Sequence, residues 1–193
     1  SGCGTRAVVA LITNSALTRA ELIEEIALRF GLAITPGMTK PQALVLLERH
    51  LRAVKARDEL AILVLDEAQN LERELLEEIR LLSNLEEDGQ KLLQIFLVGQ
   101  PELEAKLGRP ELRQLRQRIA VHYRLQPMSA EETKHYLHHR IAVAGGNANQ
   151  LFPADTCSEV HRLTHGIPRE INTVASQAML NAYVDDSHVV RPQ

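Results

Sequence analysis

Residues 60–70 read Leu-Ala-Ile-Leu-Val-Leu-Asp-Glu-Ala-Gln-Asn. The apolar run from Leu60 to Leu65 has no polar break and ends against two adjacent carboxylates, Asp66 and Glu67. An unbroken apolar run of strand length predicts a strand buried on both faces, as in a parallel sheet covered by helices. Carboxylates at the C-terminal end of such a strand fall where open α/β sheets bind ligands.

Two readings of this corner stand side by side. Asp66 can hold a metal through its water shell, and Glu67 can orient or deprotonate an attacking water. That is the second nucleotide motif (Walker B) of a nucleoside-triphosphatase. A buried strand running into an acidic helix start is also common on dipole grounds alone.

The rest of the chain supplies the context. Ala7 to Thr13 is a second apolar strand candidate, and Thr18 with Glu21 has capping-box spacing ahead of a helix that ends at Gly31. Pro36-Gly37 marks a turn, and Thr39 to Lys55 repeats its leucines at helical spacing. Beyond the acidic corner, Leu71, Leu75, Ile79, Leu82 and Leu85 predict a helix closing near Asp88-Gly89. Leu92 to Val98 reads as a third strand, two short helical pieces cover 101–107 and 110–117, and Ile119 to Leu125 reads as a last, edge strand. This alternation predicts a parallel sheet with helices on both faces. After about Leu125 the pattern turns all-helical, with Ser129 and Glu132 forming another capping box and further helices at 154–164 and 168–183. The expected division is therefore 1–126, an α/β unit, and 127–193, a helical unit.

Composition narrows the classes. The 193 residues are 45% hydrophobic but only 3% aromatic with no Trp, so aliphatic side chains must build the core. A net charge of −3 argues against a surface that attracts nucleic acid as a whole. Cys3 and Cys157 lie too far apart for a disulfide framework or metal-ligand spacing, which fits a reducing compartment. No apolar run approaches the ~20 residues that span a bilayer, and no signal peptide opens the chain. The expectation is a soluble intracellular piece.

Other candidate residues are weaker signals. Gln100, at the end of the third strand, could bond an attacking water or a phosphate oxygen, or simply cap the helix at Pro101. Lys106, Arg109, Arg113, Arg116, Arg118 and Arg124 crowd the region before and within the last strand candidate. Arg118 is the best placed of these to reach a neighbouring subunit's nucleotide, the alternative being a solvated basic face. Arg169 opens the final helix, where the dipole disfavours a cation, so a phosphate or a carboxylate should face it. His135, His138 and His139 share a helix without an acidic partner motif and read as surface residues. A G-x-x-x-x-G-K-[ST] phosphate loop is absent; Ser1-Gly-Cys-Gly-Thr5 looks like the remnant of one but lacks the Lys and the helix that should follow.

With DEAQN, LLSNLE, LVGQPEL, RPELRQLRQRI and GIPREIN read, the chain resembles the ExeA/GspA-type AAA+ ATPases of general secretion and pilus biogenesis, over nearly all of residues 6–190. The resemblance implies an AAA+ P-loop-type parallel sheet covered by helices, its first strand and phosphate loop missing here, with a C-terminal all-helical lid. It implies Glu67 as catalytic base, Asp66 as the acid linked to Mg through water, Gln100 as first sensor, Arg118 as arginine finger and Arg169 as second sensor toward ATP. In the family sheet the strand feeding the phosphate loop sits between 92–98 and 119–125. Without it those two must close up, leave a slot, or borrow a strand from another copy. The expected function is an ATPase of the full-length protein that drives assembly of a secretion or pilus complex, with this fragment inactive. Its partners would be further copies and assembly proteins at the inner membrane, the domain being cytoplasmic on a parent anchored there. The alternatives are a TniB-like DNA-binding transposition ATPase and a non-catalytic oligomerisation module.

Overall fold

A computed structural model describes residues 6–13, 16–35 and 37–191. The remnant-like segment Ser1–Thr5 and Pro36 of the expected turn lie outside these. Contacts divide the chain into two compact units, 1–122 and 123–193, so the division falls inside the segment expected to form the last strand.

In the first unit β1 (Ala7–Ile12), β2 (Leu60–Leu65) and β5 (Gln94–Leu97) form one parallel sheet in the order β1-β2-β5, with Ile12, Leu65 and Leu97 in register. Between β1 and β2 run α1 (Arg19–Arg29) and α2 (Lys40–Ala56); α3 (Arg73–Leu82) follows β2. The predicted capping box at Thr18 is formed, with the Thr18 N–H donating to Glu21 Oε2 at 2.7 Å and the Glu21 N–H donating to Thr18 Oγ1 at 3.3 Å. Glu78 on α3 is a buried carboxylate, and Lys40 at the start of α2 donates to it at 2.6 Å, so one ion pair fastens the two helices.

The helices cover one face only. Ala10, Ile12, Ala61, Leu63 and Leu65 share a buried cluster with Leu22, Ile23 and Ile26 of α1, Leu47 and Leu51 of α2, and Leu75, Leu76 and Ile79 of α3. The opposite face carries Val9, Leu11, Phe96 and Val98, all largely exposed, with Ile62 and Val64 half-buried between them. The double covering expected from the unbroken apolar runs is thus not made by the described residues.

Two local expectations are corrected. The helix after the acidic corner stops at Leu82, and the Asp88-Gly89 pair turns a small hairpin between β3 (Glu86–Glu87) and β4 (Gln90–Lys91). Both turn residues have positive φ, 52° and 72°, the conformation of a tight two-residue hairpin turn. The second correction concerns Ile119–Leu125, which joins no ladder. Val121, Tyr123 and Leu125 are 80, 79 and 84% exposed. The alternating pattern is strand-like, but a strand needs a neighbour for its N–H and C=O groups, and β5 has none beyond β2 among the described residues. The two short helices α4 (Glu102–Leu107) and α5 (Arg113–Arg116) lie before this segment as expected.

The second unit is helical: α6 (Ala130–Val143), α7 (Ala148–Leu151), α8 (Ala154–Thr164) and α9 (Pro168–Val184). Leu137, Ile141, Phe152, Cys157, Val160 and Ile171 form its core. The Ser129–Glu132 capping box opens α6. Gly166, at φ 77°, accepts the Met128 N–H at 2.9 Å, and a Cβ there would lie 1.9 Å from the Met128 carbonyl oxygen. Only glycine satisfies both demands, which explains the Gly in the GIPR stretch. No helix among the described residues is long and apolar enough to cross a membrane.

Candidate functional site

The ends of β2 and β5 converge on one corner. The sheet ladder continues past β2, because the Asp66 N–H donates to Ile12 O and the Val98 N–H to Leu65 O, each at 2.9 Å. The chain then turns sharply. The Glu67 N–H donates back to Asp66 Oδ1 at 2.9 Å, and Ala68–Asn70 coil into a single 3-10 turn. Glu67 itself adopts the left-handed conformation, φ 50° and ψ 36°. Every other non-glycine residue with positive φ among those described is Asp or His, types that enter this region more readily. A glutamate held there is a local strain of the kind that collects at functional sites.

Gln69 closes the corner. Its Nε2 donates to Glu67 Oε2 at 2.5 Å, while its Oε1 accepts the Gln100 N–H at 3.1 Å. Gln100, a predicted site residue, reaches the same Glu67 oxygen with its own amide only at 3.5 Å, the far limit of a hydrogen bond. Three further contacts pin the turn: the Ala68 N–H donates to Val98 O at 2.9 Å, and Lys106 of α4 donates to Gln69 O at 2.9 Å and to Leu71 O at 2.5 Å. Gly99 makes the approach possible, since a Cβ there would stand 2.5 Å from Gln69 Oε1.

Of the predicted residues, Asp66, Glu67 and Gln100 therefore meet within the first unit. Arg118 does not hydrogen-bond to any of them. It lies near Glu86, whose carboxyl is held below its ordinary range mainly by the Lys91 ammonium, with Arg118 a smaller contributor. Arg169 is exposed at the start of α9 in the second unit and makes no ion pair among the described residues. Sequence reasoning missed Gln69, although it lies within DEAQN, and read Lys106 only as one of a basic group rather than as a tie on the Gln69 and Leu71 carbonyls. The only sequence signal for Gln69 was its place two residues after Glu67; the Gly99-Gln100 pair reaches it through the fold.

No cluster of three or more His, Cys, Asp or Glu side chains suited to a metal occurs among the described residues. Asp66 and Glu67 are the carboxylates at the corner that could hold a magnesium ion, a cation that keeps several waters and takes one or two carboxylates plus phosphate oxygens. His138, expected at the surface, is half-buried and faces the Phe152 carbonyl oxygen at 3.1 Å and Cys157 Sγ at 3.6 Å. Burial pushes the Cys157 thiol up, which disfavours a reactive thiolate.

The chain is 38% identical over 186 residues to General secretion pathway protein A of Aeromonas hydrophila, covering 96% of this chain but 34% of that protein, so it spans about a third of the relative's length. Among solved structures it is similar to Aeropyrum pernix ORC2 in its ADP form (TM-score 0.71, 16% identity, 97% of this chain and 51% of that one). It is also similar to Pyrobaculum aerophilum Cdc6p (TM-score 0.65, 20% identity, 96% and 50%) and to the Thermotoga maritima RuvB branch migration motor (TM-score 0.54, 14% identity, 95% and 57%). At these identities the likeness to solved structures concerns the fold. Residues 4–107 match the family described as AAA domain, and the chain belongs to that family.

Proposed function

We propose that these residues are the acid-bearing part of an ATP-hydrolysing module that, in a longer protein, drives assembly of a secretion or pilus complex at the bacterial inner membrane from its cytoplasmic side. The observation that carries this reading is the meeting of Asp66, Glu67 and Gln100 at the ends of adjacent parallel strands. Asp66 would hold magnesium through water, and the bound ion would offset charge on the phosphate oxygens. Glu67 takes a proton from the attacking water as that water's oxygen bonds to the terminal phosphorus and ADP leaves. Gln100 orients the water or a phosphate oxygen. Arg118 serves a neighbouring copy's nucleotide, so the working form is a homo-oligomer, and Arg169 contacts a phosphate of bound nucleotide. The net charge of −3 stands against duplex DNA as the partner.

The sequence holds no phosphate loop, so the phosphate grip falls to residues outside these 193. The sheet face left bare and the β5 edge left unpaired among the described residues support that assignment. The helices that connect β1 to β2 and β2 to β5 all lie on the covered face. A strand on the free edge of β5 that led through a helix back to β1 would cross the sheet in the opposite sense. Right-handed crossover then puts its helix on the bare face. The test is Glu67→Gln in the full-length protein: turnover is lost while nucleotide binding persists. Unchanged turnover removes the reading. For residues 1–193 alone, calorimetric titration should detect no micromolar ATP affinity.

A further inference from the structure

We propose that Gln69 is the positioning residue of the hydrolytic base: its amide fixes the Glu67 carboxylate and ties it to the backbone of Gln100, in a slot left open by Gly99. The inference rests on the functional reading above, which assigns no role to Gln69 or Gly99.

The amide of Gln69 can face only one way. A carboxylate only accepts and a backbone N–H only donates, so Nε2 must point to Glu67 and Oε1 to Gln100. Glu67 and Gln100 follow different strands, β2 and β5, and the Gln100 side chain is 3.5 Å from the carboxylate oxygen. Gln69 is therefore the firmer link between the base and the strand end that would read a phosphate. Its own backbone cannot drift, because Lys106 holds the Gln69 and Leu71 carbonyls together. The Glu67 main chain sits in the left-handed region, and the hydrogen bond that holds its carboxylate comes from Gln69. A displacement of Gln100 on meeting a nucleotide would pull on Gln69 Oε1 and so move the carboxylate.

The steric test is built into the sheet end. With a Cβ on Gly99 only 2.5 Å from Gln69 Oε1, the amide must leave its place. Gly99→Ala should then have the same consequence as removing the amide, and the two changes together should cost little more than either alone.

The experiment uses the full-length protein and measures ATP turnover, affinity for a non-hydrolysable ATP analogue, affinity for ADP with aluminium fluoride, and the melting temperature. Gln69→Ala should lower kcat by about 10- to 100-fold, because the reacting group is misplaced rather than absent. KM and the ground-state analogue affinity should stay within about 2-fold, while ADP–aluminium fluoride binding weakens with kcat. Gln69→Glu keeps the length and volume of the side chain but replaces the donor with an acceptor; it should be no better than Gln69→Ala, whereas a packing role would be rescued by it. Normal kcat in Gln69→Ala, full activity in Gln69→Glu, or additive losses from Gln69→Ala and Gly99→Ala each overturn the proposal while leaving Glu67 as base. If Glu67→Gln itself leaves turnover intact, the functional reading falls and this inference falls with it.

Discussion

β2 and the segment 119–125 both carry strand-like side-chain patterns, yet they end in opposite states. β2 lies between two parallel neighbours, and Leu63 at its centre is fully buried. The later segment contributes to no ladder, and its three largest odd-numbered side chains from Val121 to Leu125 stand in solvent. The patterns differ, unbroken apolar in β2 and interrupted by His122 and Arg124 in the later segment, but both suit a strand that has found a neighbour. What separates them is the supply of neighbours: β1 and β5 fall on either side of β2, whereas the last segment meets no free partner. Strand formation is a property of pairs, and the paired strand alone can aim its terminal residues at a common point.

Substitutions offer the sharpest way to break this comparison. Leu63→Ala should destabilise the first unit by about 2–5 kcal/mol through lost burial and the cavity left behind, read from urea midpoints. Val121→Ala should change stability by less than about 0.5 kcal/mol, as exposed positions do. Equal losses would mean that 119–125 is packed in solution. Hydrogen exchange gives a second contrast: β2 amides exchange only on global unfolding, and amides 121–126 exchange at nearly unprotected rates.

Two smaller effects sharpen it further. Ser129→Ala removes the cap of α6 and should cost about 1 kcal/mol in the second unit while leaving exchange at 121–126 unaltered, since that stretch has no ladder to lose. Acid gives the fourth contrast. His50 sits on α2, the helix packed against β2, its ring 5.7 Å from that of Phe30 and tilted 44° to it, with Nε2 buried and without a hydrogen-bond partner among the described residues. Burial, aided by the Arg57 charge, lowers its pKa from the ordinary 6.5. Its neutral form is the one that folds, so its contribution is complete above that value and declines as pH falls from there toward the depressed folded value. Between pH 7.5 and 5.5 the urea midpoint of the first unit should therefore drop, and His50→Phe should flatten the drop; an unchanged slope would exclude His50 as the cause.

Much of the fold was legible because its signals are periodic or local. β1, β2, the capping boxes at Thr18 and Ser129, and α8 follow from apolar runs and the spacing of cap residues. The hairpin at 86–91 was announced by Asp88-Gly89, but the leucine repeat running on to Leu85 masked it as the end of a helix. The acidic corner was readable as a place, since carboxylates ending a core strand can hardly lie elsewhere. Its wiring was not. Gln69 matters only because Gly99 and Gln100 arrive beside it from another strand, and a linear sequence does not print that adjacency. The one-sided covering was missed for a related reason. An apolar run reports that both faces of a strand avoid water in the finished protein, not which residues do the covering.

The uncovered side of the sheet also sets how this stretch behaves at the bench. Val9, Leu11, Phe96 and Val98 form an oily strip beside an open backbone ladder, a combination that invites other chains to stack and pair. A preparation of residues 1–193 should scatter more light as it is concentrated. Replacing Leu11 and Phe96 with lysine should keep it dispersed, because those side chains are exposed and take no part in the buried core.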